Sequence, residues 1–264
     1  MDNVNEAIKR TMVYIKRHGG FPGAKELYDR LISSTAFSKN TVRRAVKKMG
    51  VKTRNGVNLL ERKKKAMAKK VAIEIAKNDD DVIFLGLTGS VAAGNCKKND
   101  DIDLMIVTRK NCLWKCRLKL KLFLKKNEIA ERKYGVAEKM NAFCFNMWLD
   151  EGGLKLPKEK QRLKSAVDLI LMKVLFDRGG VSKKFVKVNR WAKKWMATPY
   201  SRKLESWKGE NRKLESLKVR KDNSWQKLKN KIINWGMFAI QYLYMWPKIE
   251  NEKVGLKRAF FHQD

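Results

Sequence analysis

Leu85-Gly86-Leu87-Thr88-Gly89-Ser90-Val91-Ala92-Ala93-Gly94 and, after a short polar segment, Asp101-Ile102-Asp103-Leu104-Met105-Ile106-Val107 form the stretch whose reading decides the fold. The first apolar run reads as a buried strand, Val82 to Thr88, that ends in a Gly-Ser turn and a short helix. The second reads as a strand that opens with two carboxylates at i and i+2. Period-two geometry puts both on one face of a sheet, roughly 6–7 Å apart. Such a pair suits a divalent cation held by oxygen, which is the preference of Mg²⁺. A Gly-Ser turn opening a helix offers free backbone N–H groups to an anion. A cation site beside an anion site points to chemistry at a phosphate.

The composition around this stretch is strongly basic. The chain has 264 residues, with 61 Lys and Arg against 27 Asp and Glu, for a formal charge of +34. That excess suggests a polyanionic partner such as nucleic acid. A solvated surface accounts for part of it, because Lys is spread along the whole chain. Hydrophobic residues make up 44 % of the chain, enough for a core. The cysteines Cys96, Cys112, Cys116 and Cys144 form no C-x-x-C pair, and with only His18 and His262 no zinc spacing exists. They read as reduced, buried thiols. Met1-Asp2-Asn3-Val4 lacks the apolar core of a signal peptide, and the run from Ile232 to Trp246 is too short and too mixed to span a bilayer. A cytoplasmic protein without stable membrane insertion is expected, with its oligomeric state unspecified.

The organisation expected is α+β, in three parts. Residues 1–60 read as a winged helix-turn-helix, with helices near Asn5–Lys16, Ala24–Ile32 and Lys39–Met49. Ser38 is a good N-cap for the third. Val42, Ala45, Val46 and Met49 form its buried face, and Lys39, Arg43, Arg44 and Lys47 lie on the other, as residues for nucleic-acid binding. Asn55-Gly56, between Val51–Arg54 and Val57–Leu60, is a hairpin signal and would form the wing. Residues 61–156 form a small mixed-sheet core: a helix over 61–78, the two strands above, a helix over 111–127, and a third strand from Asn141 to Leu149. Asp79-Asp80-Asp81 reads as a solvated loop, since three consecutive residues cannot face one point. Residues 157–264 form a helical C-terminal region, with helices at Leu163–Phe176, Phe185–Trp195 and Trp225–Trp246 and a basic connector over 201–218. The aromatic stripe of the last helix reads as core.

Gly89-Ser90, the intervening gap and Asp101-Ile102-Asp103 resemble the signature of the DNA polymerase beta nucleotidyltransferase superfamily. The whole chain also resembles a group of uncharacterised bacterial nucleotidyltransferase-domain proteins with a winged-helix-like front end. Leu85–Ala92, Asn189-Arg190-Trp191 and Ala259-Phe260-Phe261-His262 carry that likeness. The resemblance implies that Asp101 and Asp103 hold one or two Mg²⁺ ions at the triphosphate of an NTP substrate. Gly89 and Ser90 would bind the phosphates, with Lys97 and Lys98 as further candidates. A substrate hydroxyl would attack the α-phosphorus and pyrophosphate would leave. The acceptor expected from the basic surface is nucleic acid, and Asn189 and Arg190 are candidate contacts to it or a structural polar pair.

The family usually adds a third carboxylate on the neighbouring strand. Here the strand centre carries Asn146, which cannot act as a base, and Asp150 lies four residues on. Either Asp150 completes the catalytic set or the site has two carboxylates. The second alternative implies a catalytically weak, nucleotide-sensing, DNA-binding regulator or an antitoxin-like protein.

Overall fold

The computed structural model describes residues 3–20, 23–51, 59–132, 140–209, 219–249 and 252–261. The chain begins with three helices: α1 (Val4–Arg17), α2 (Ala24–Asp29) and α3 (Lys39–Lys48). Ser38 caps α3 as expected, its Oγ accepting from the Thr41 N–H at 3.1 Å. Val42, Ala45 and Val46 pack with Ala7, Ile8, Ile15, Leu27 and Leu31 into a small core of their own. Lys39, Arg43, Arg44 and Lys47 are exposed on the opposite face of α3. The expected wing falls mostly on residues 52–58, outside the described residues, and Leu59 and Leu60 open a helix instead of closing a hairpin.

That helix, α4 (Leu59–Asn78), leads into β1 (Val82–Leu87), the short helix α5 (Gly89–Ala93), β2 (Ile102–Thr108), α6 (Leu113–Lys126) and β3 (Phe143–Asp150). The ambiguous segment around Arg117–Leu122 is helical, with Leu120 and Leu124 buried. Beyond it the chain departs from an all-helical tail. Helix α7 (Leu163–Leu171) stops short of Phe176, and Lys173–Asp177 forms strand β4. Then come α8 (Val181–Val188), α9 (Ala197–Gly209), α10 (Ser224–Met245) and two short strands, β5 (Lys253–Val254) and β6 (Arg258–Phe260). The six strands form one mixed sheet in the order β4-β1-β2-β3-β6-β5 among the described residues. Only the β2–β3 pair is parallel. The α+β class is therefore as the sequence implies, and the chain after α7 supplies both edges of the sheet.

Both faces of the sheet are covered, which is why β1 and β2 are nearly continuous apolar runs. Leu104 and Ile106 of β2 face the layer of α4, α6 and α10, packing with Ala72, Ile75, Trp114 and Trp148. Met105 and Val107 face the layer of α7, α8 and α9, with Ala166, Leu169, Ile170, Phe185 and Tyr200. Helix α10 is tied to α6 through Trp114, whose N–H donates to Asn234 Oδ1 and whose carbonyl accepts from Gln241 Nε2, both at 2.8 Å. Its other side is not core: Trp225 and Trp235, and Trp246 just past its end, are more than 60 % exposed.

The Asp79–Asp81 segment also differs from the solvated loop expected. Asp79 and Asp81 are buried. Asp81 pairs with Arg109 at 2.7 Å, and Asp79 with Lys119 at 3.1 Å. Arg109 also pairs with Asp222 just ahead of α10. These partners are remote in sequence, and together they fasten the ends of β1 and β2 to α6. Among the described residues no helix is long and apolar enough to cross a membrane.

The N-terminal helices are docked on the rest of the chain. Ser33 exchanges backbone hydrogen bonds with Trp195 and Ala197, both 2.8 Å. The Phe37 N–H donates to Thr198 Oγ1 at 2.8 Å, and Asn95 Nδ2 donates to the His18 carbonyl at 2.7 Å. The last contact brings the end of α1 to the loop between α5 and β2.

Candidate active site

Thr88 follows β1, and Gly89 turns the chain with φ +65°, the left-handed region that suits glycine. A β-carbon there would lie 2.0 Å from Asp103 Oδ2. The turn therefore has to be glycine, because the Asp103 carboxylate rests against its backbone. The Thr88 N–H donates to the Asp103 carbonyl at 2.9 Å, fastening the turn to β2. Ser90 follows on the cleft side. On the next stretch Lys64, fully buried, donates to the carbonyls of Lys98 (3.1 Å) and Asp100. This clamp sets the path of the chain into Asp101.

Asp101 and Asp103 lie together with Cys144, their ligand atoms within 4.8 Å of one another. Arg132 Nη1 donates to Asp101 Oδ2 at 2.6 Å, and Asn146 Nδ2 donates to Asp103 Oδ1 at 2.8 Å. Burial first, then the negative charges of Asp101 and Asp168, push the Asp103 carboxyl up to about 7. Cys144 is driven well above the usual thiol range by burial and by the charges of Asp103 and Asp101, so it sits there as a neutral thiol. Two carboxylates facing a single guanidinium form a donor set short of positive charge. Hard oxygen ligands of this kind fit Mg²⁺ better than a softer ion.

These residues line a cleft of about 620 Å³. Tyr14, His18 and Arg30 from the N-terminal helices form one wall, with the Tyr14 and His18 rings 4.5 Å apart. Lys160, Arg162 and Lys164 bring positive charge to another side, and Phe260 and Phe261, at the end of β6, line it as well. The cleft thus combines an acidic corner, a basic rim and aromatic surfaces.

Of the residues singled out in the sequence, Gly89, Ser90, Asp101 and Asp103 are brought together. Lys97 and Lys98 are exposed on the loop outside the cleft, and the Lys97 side chain lies against Gly19. Asn189 is buried as a structural hub: its Nδ2 donates to the carbonyls of Leu154 and Phe185, and its Oδ1 accepts from the Leu156 N–H. Arg190 is exposed.

Asp150 does not reach the cleft. It pairs in register with Thr108, whereas Asp103 pairs with Cys144. The two acids sit at opposite ends of the parallel pair, separated by roughly 17 Å of strand. Between Asp103 and Met105, β3 gains a residue, its partners being Cys144 and Met147. One extra residue reverses which face later side chains take, so Asp150 shares the face of Thr108 and not that of Asp103. Its Oδ2 accepts from the Asn111 N–H at 3.0 Å, and burial raises its pKa. It fastens the turn ahead of α6.

The sequence reading also passed over residues that the cleft contains. Arg132 had no local signal. Asp168 did have one: Lys164, Ser165, Asp168 and Leu171 recur at helical spacing on an otherwise apolar α7, and all line the cleft.

The family model described as a nucleotidyltransferase domain matches residues 41–172, half of the chain. That span runs from α3 through α7 and includes Gly89, Ser90, Asp101, Asp103 and Asn146. Comparison with curated proteins and with solved structures gave no match. The chain belongs to the nucleotidyltransferase domain family.

Proposed function

We propose that this protein transfers a nucleoside monophosphate from an NTP to an acceptor hydroxyl, with Mg²⁺ bound at Asp101 and Asp103. The observation that carries the reading is the packing of the Asp103 carboxylate on the Gly89 backbone, with Asp101 beside it. It brings the cation-binding carboxylates and the phosphate-facing turn to one point. A divalent cation held there would neutralise charge on the triphosphate and on the leaving pyrophosphate.

The remaining work falls to the chain's own groups. Ser90 lines the cleft, and its N–H and hydroxyl would donate to phosphate oxygens. Arg132 fixes Asp101 through a charge-assisted hydrogen bond. Lys160, Arg162 and Lys164 attract the polyanion and limit its orientations in the cleft. Catalysis of this kind is positioning and charge neutralisation, with no covalent intermediate.

The acceptor we favour is nucleic acid. The exposed cationic face of α3, with Lys39, Arg43, Arg44 and Lys47, supports it, as does the formal charge of +34. Incubation with each α-labelled NTP, Mg²⁺ and RNA tests the proposal. Label in RNA that disappears in an Asp101→Ala/Asp103→Ala variant is the expected result.

One observation favours a second reading. Asn146 occupies the strand position beside Asp103 and donates to it, where it adds no negative charge and takes no proton. A protein that binds nucleotide with slow or no turnover, as a sensor, would have this arrangement.

A further inference from the structure

Helix α10 is patterned inside out for the surface of a globular domain. Its inner side packs Met237 and Phe238 on the core and also carries its hydrogen-bonding residues. Asn234 accepts from the Trp114 N–H, Gln241 donates to the Trp114 carbonyl, and Asn230 accepts from Lys115 Nζ at 3.3 Å. Its outer side is apolar from end to end. Trp225, Leu228, Ile232, Trp235 and Leu243, with Trp246 just past the helix, recur at spacings that keep one face. All six are between 48 % and 70 % exposed. A surface helix ordinarily turns such a stripe to the core. None of these residues lines the cleft, so the reaction there does not account for them.

The stripe is large enough for a stable partner. At ~150–250 Å² for each aromatic side chain, and with the aliphatic residues beside them, its exposed area amounts to roughly 800 Å². The largest apolar patch of an ordinary monomer is about 300–600 Å², and each side of a standard protein–protein interface buries ~800 Å².

Gly236 stands in the middle of this stripe. Glycine weakens a helix interior, and nothing in the described chain asks for one here. Its φ is not positive, and a β-carbon on it would meet no atom within 4 Å. The result is an open notch beside the exposed indole of Trp235. The stripe is self-complementary about that point. Antiparallel pairing of two copies, across an axis between Trp235 and Gly236, sets each Trp235 over the Gly236 notch of the other copy. The same register puts Leu228 opposite Leu243 and Trp225 opposite Trp246, apolar on apolar.

The charges choose the same direction. Lys227, Lys229 and Lys231 lie in the N-terminal half of α10, residues 232–245 carry no charge, and the helix contains no acid. Parallel pairing would set the lysines of two copies side by side. Antiparallel pairing sets them beside the uncharged end of the other helix, where its dipole is negative. The two lysine groups then stand on the order of 20 Å apart along the axis, well beyond the ~8 Å screening length at physiological salt.

We propose that the outer face of α10 binds a second copy of this chain, in an antiparallel pair about a two-fold axis at Trp235 and Gly236. A two-fold pair uses the same patch on both copies, which is what a self-complementary stripe provides.

The test uses the full-length protein. Sedimentation equilibrium is run over a wide range of concentration, in about 0.15 M and about 0.5 M NaCl. The expected mass is twice that of the chain. Association is expected to tighten at the higher salt, which screens the formal charge of +34 on each copy. Gly236→Leu fills the notch, where the single chain has room for it, and adds apolar surface. It is expected to weaken the dimer on the order of 10- to 100-fold, as is Trp235→Ala, with unchanged far-UV circular dichroism. A face that bound lipid, or anything apolar, would bind more strongly on gaining a leucine. Leu228→Cys and Leu243→Cys proteins, mixed and mildly oxidised, are expected to link by a disulfide, since the native cysteines are buried. Neither variant alone should link. A monomer at every concentration in both salts would overturn the proposal. So would a dimer that Gly236→Leu leaves unchanged or strengthens, or linking of Leu228→Cys by itself. A monomer that floats with vesicles of phosphatidylcholine and phosphatidylserine would overturn it too, and would assign the stripe to a lipid surface.

Discussion

Gly89 and Asp103 are in backbone-to-carboxylate contact, so close that a methyl group on Gly89 would overlap Asp103 Oδ2. One residue opens the short helix that follows β1 and the other lies near the start of β2, and the Thr88–Asp103 hydrogen bond holds the junction. The geometry of the site is therefore set by the β1–β2 pairing, and only then by the side chains.

Gly89→Ala meets two costs at once. An alanine in the left-handed region costs about 1–2 kcal/mol, and its methyl must displace the Asp103 carboxylate. The expected result is a folded, destabilised protein that no longer binds Mn²⁺ in a metal titration. Retention of Mn²⁺ binding in that variant would show that the contact is not needed.

Asn146→Asp adds a third carboxylate beside Asp103, in a pocket already short of positive charge. Without divalent cations the variant should melt lower, by roughly 2–4 °C or more. With Mg²⁺ the difference should shrink or reverse, since the added charge is then neutralised. A melting curve with EDTA and one with Mg²⁺ decide this.

The pH dependence of stability follows from Asp103. Its carboxyl is held at about 7 by burial and its acidic neighbours, against an ordinary value of about 4. Between those values the folded protein keeps a proton that the unfolded chain has released. Stability of the metal-free protein should therefore fall as pH rises through that window. Asp103→Asn should flatten this slope, and so should Mg²⁺, which favours the ionised form. Melting temperatures measured from about pH 4 to about pH 8 test both.

The cationic face of α3 makes a separate prediction. Arg43→Ala with Arg44→Ala should weaken nucleic-acid binding, and the slope of log K against log salt should become shallower by about 1 to 2. An unchanged affinity and slope would remove α3 from the nucleic-acid surface.

The part of the site that was legible in the sequence is the part built from local spacing. Gly89, Ser90, Asp101 and Asp103 stand within one strand–turn–helix–strand unit, and period-two alternation puts the aspartates on one face. Asp150 was misplaced because an extra residue in β3 resets the alternation after Cys144, and nothing in Phe145-Asn146-Met147 announces it. The short strands β4 and β6 were hidden for a different reason. Each is set by pairing with a distant strand, β1 and β3 respectively, and each is too short to carry a pattern of its own. The burial of Asp79 and Asp81 likewise depends on Arg109, Lys115 and Lys119, which only the folded chain brings near. Asp168 was readable as a polar stripe on α7, but its place in the cleft depended on knowing which face of the sheet α7 covers.

The most direct test of the central claim is a pair of labelled substrates. ATP labelled at the α-phosphate and ATP labelled at the γ-phosphate are each incubated with the protein, Mg²⁺ and RNA, beside the Asp101→Ala/Asp103→Ala variant. Nucleotidyl transfer at this site predicts that α-label enters the acceptor, that γ-label leaves as pyrophosphate, and that the double variant does neither. Label from the γ-phosphate on the acceptor, or α-label transfer that survives in the double variant, would contradict it.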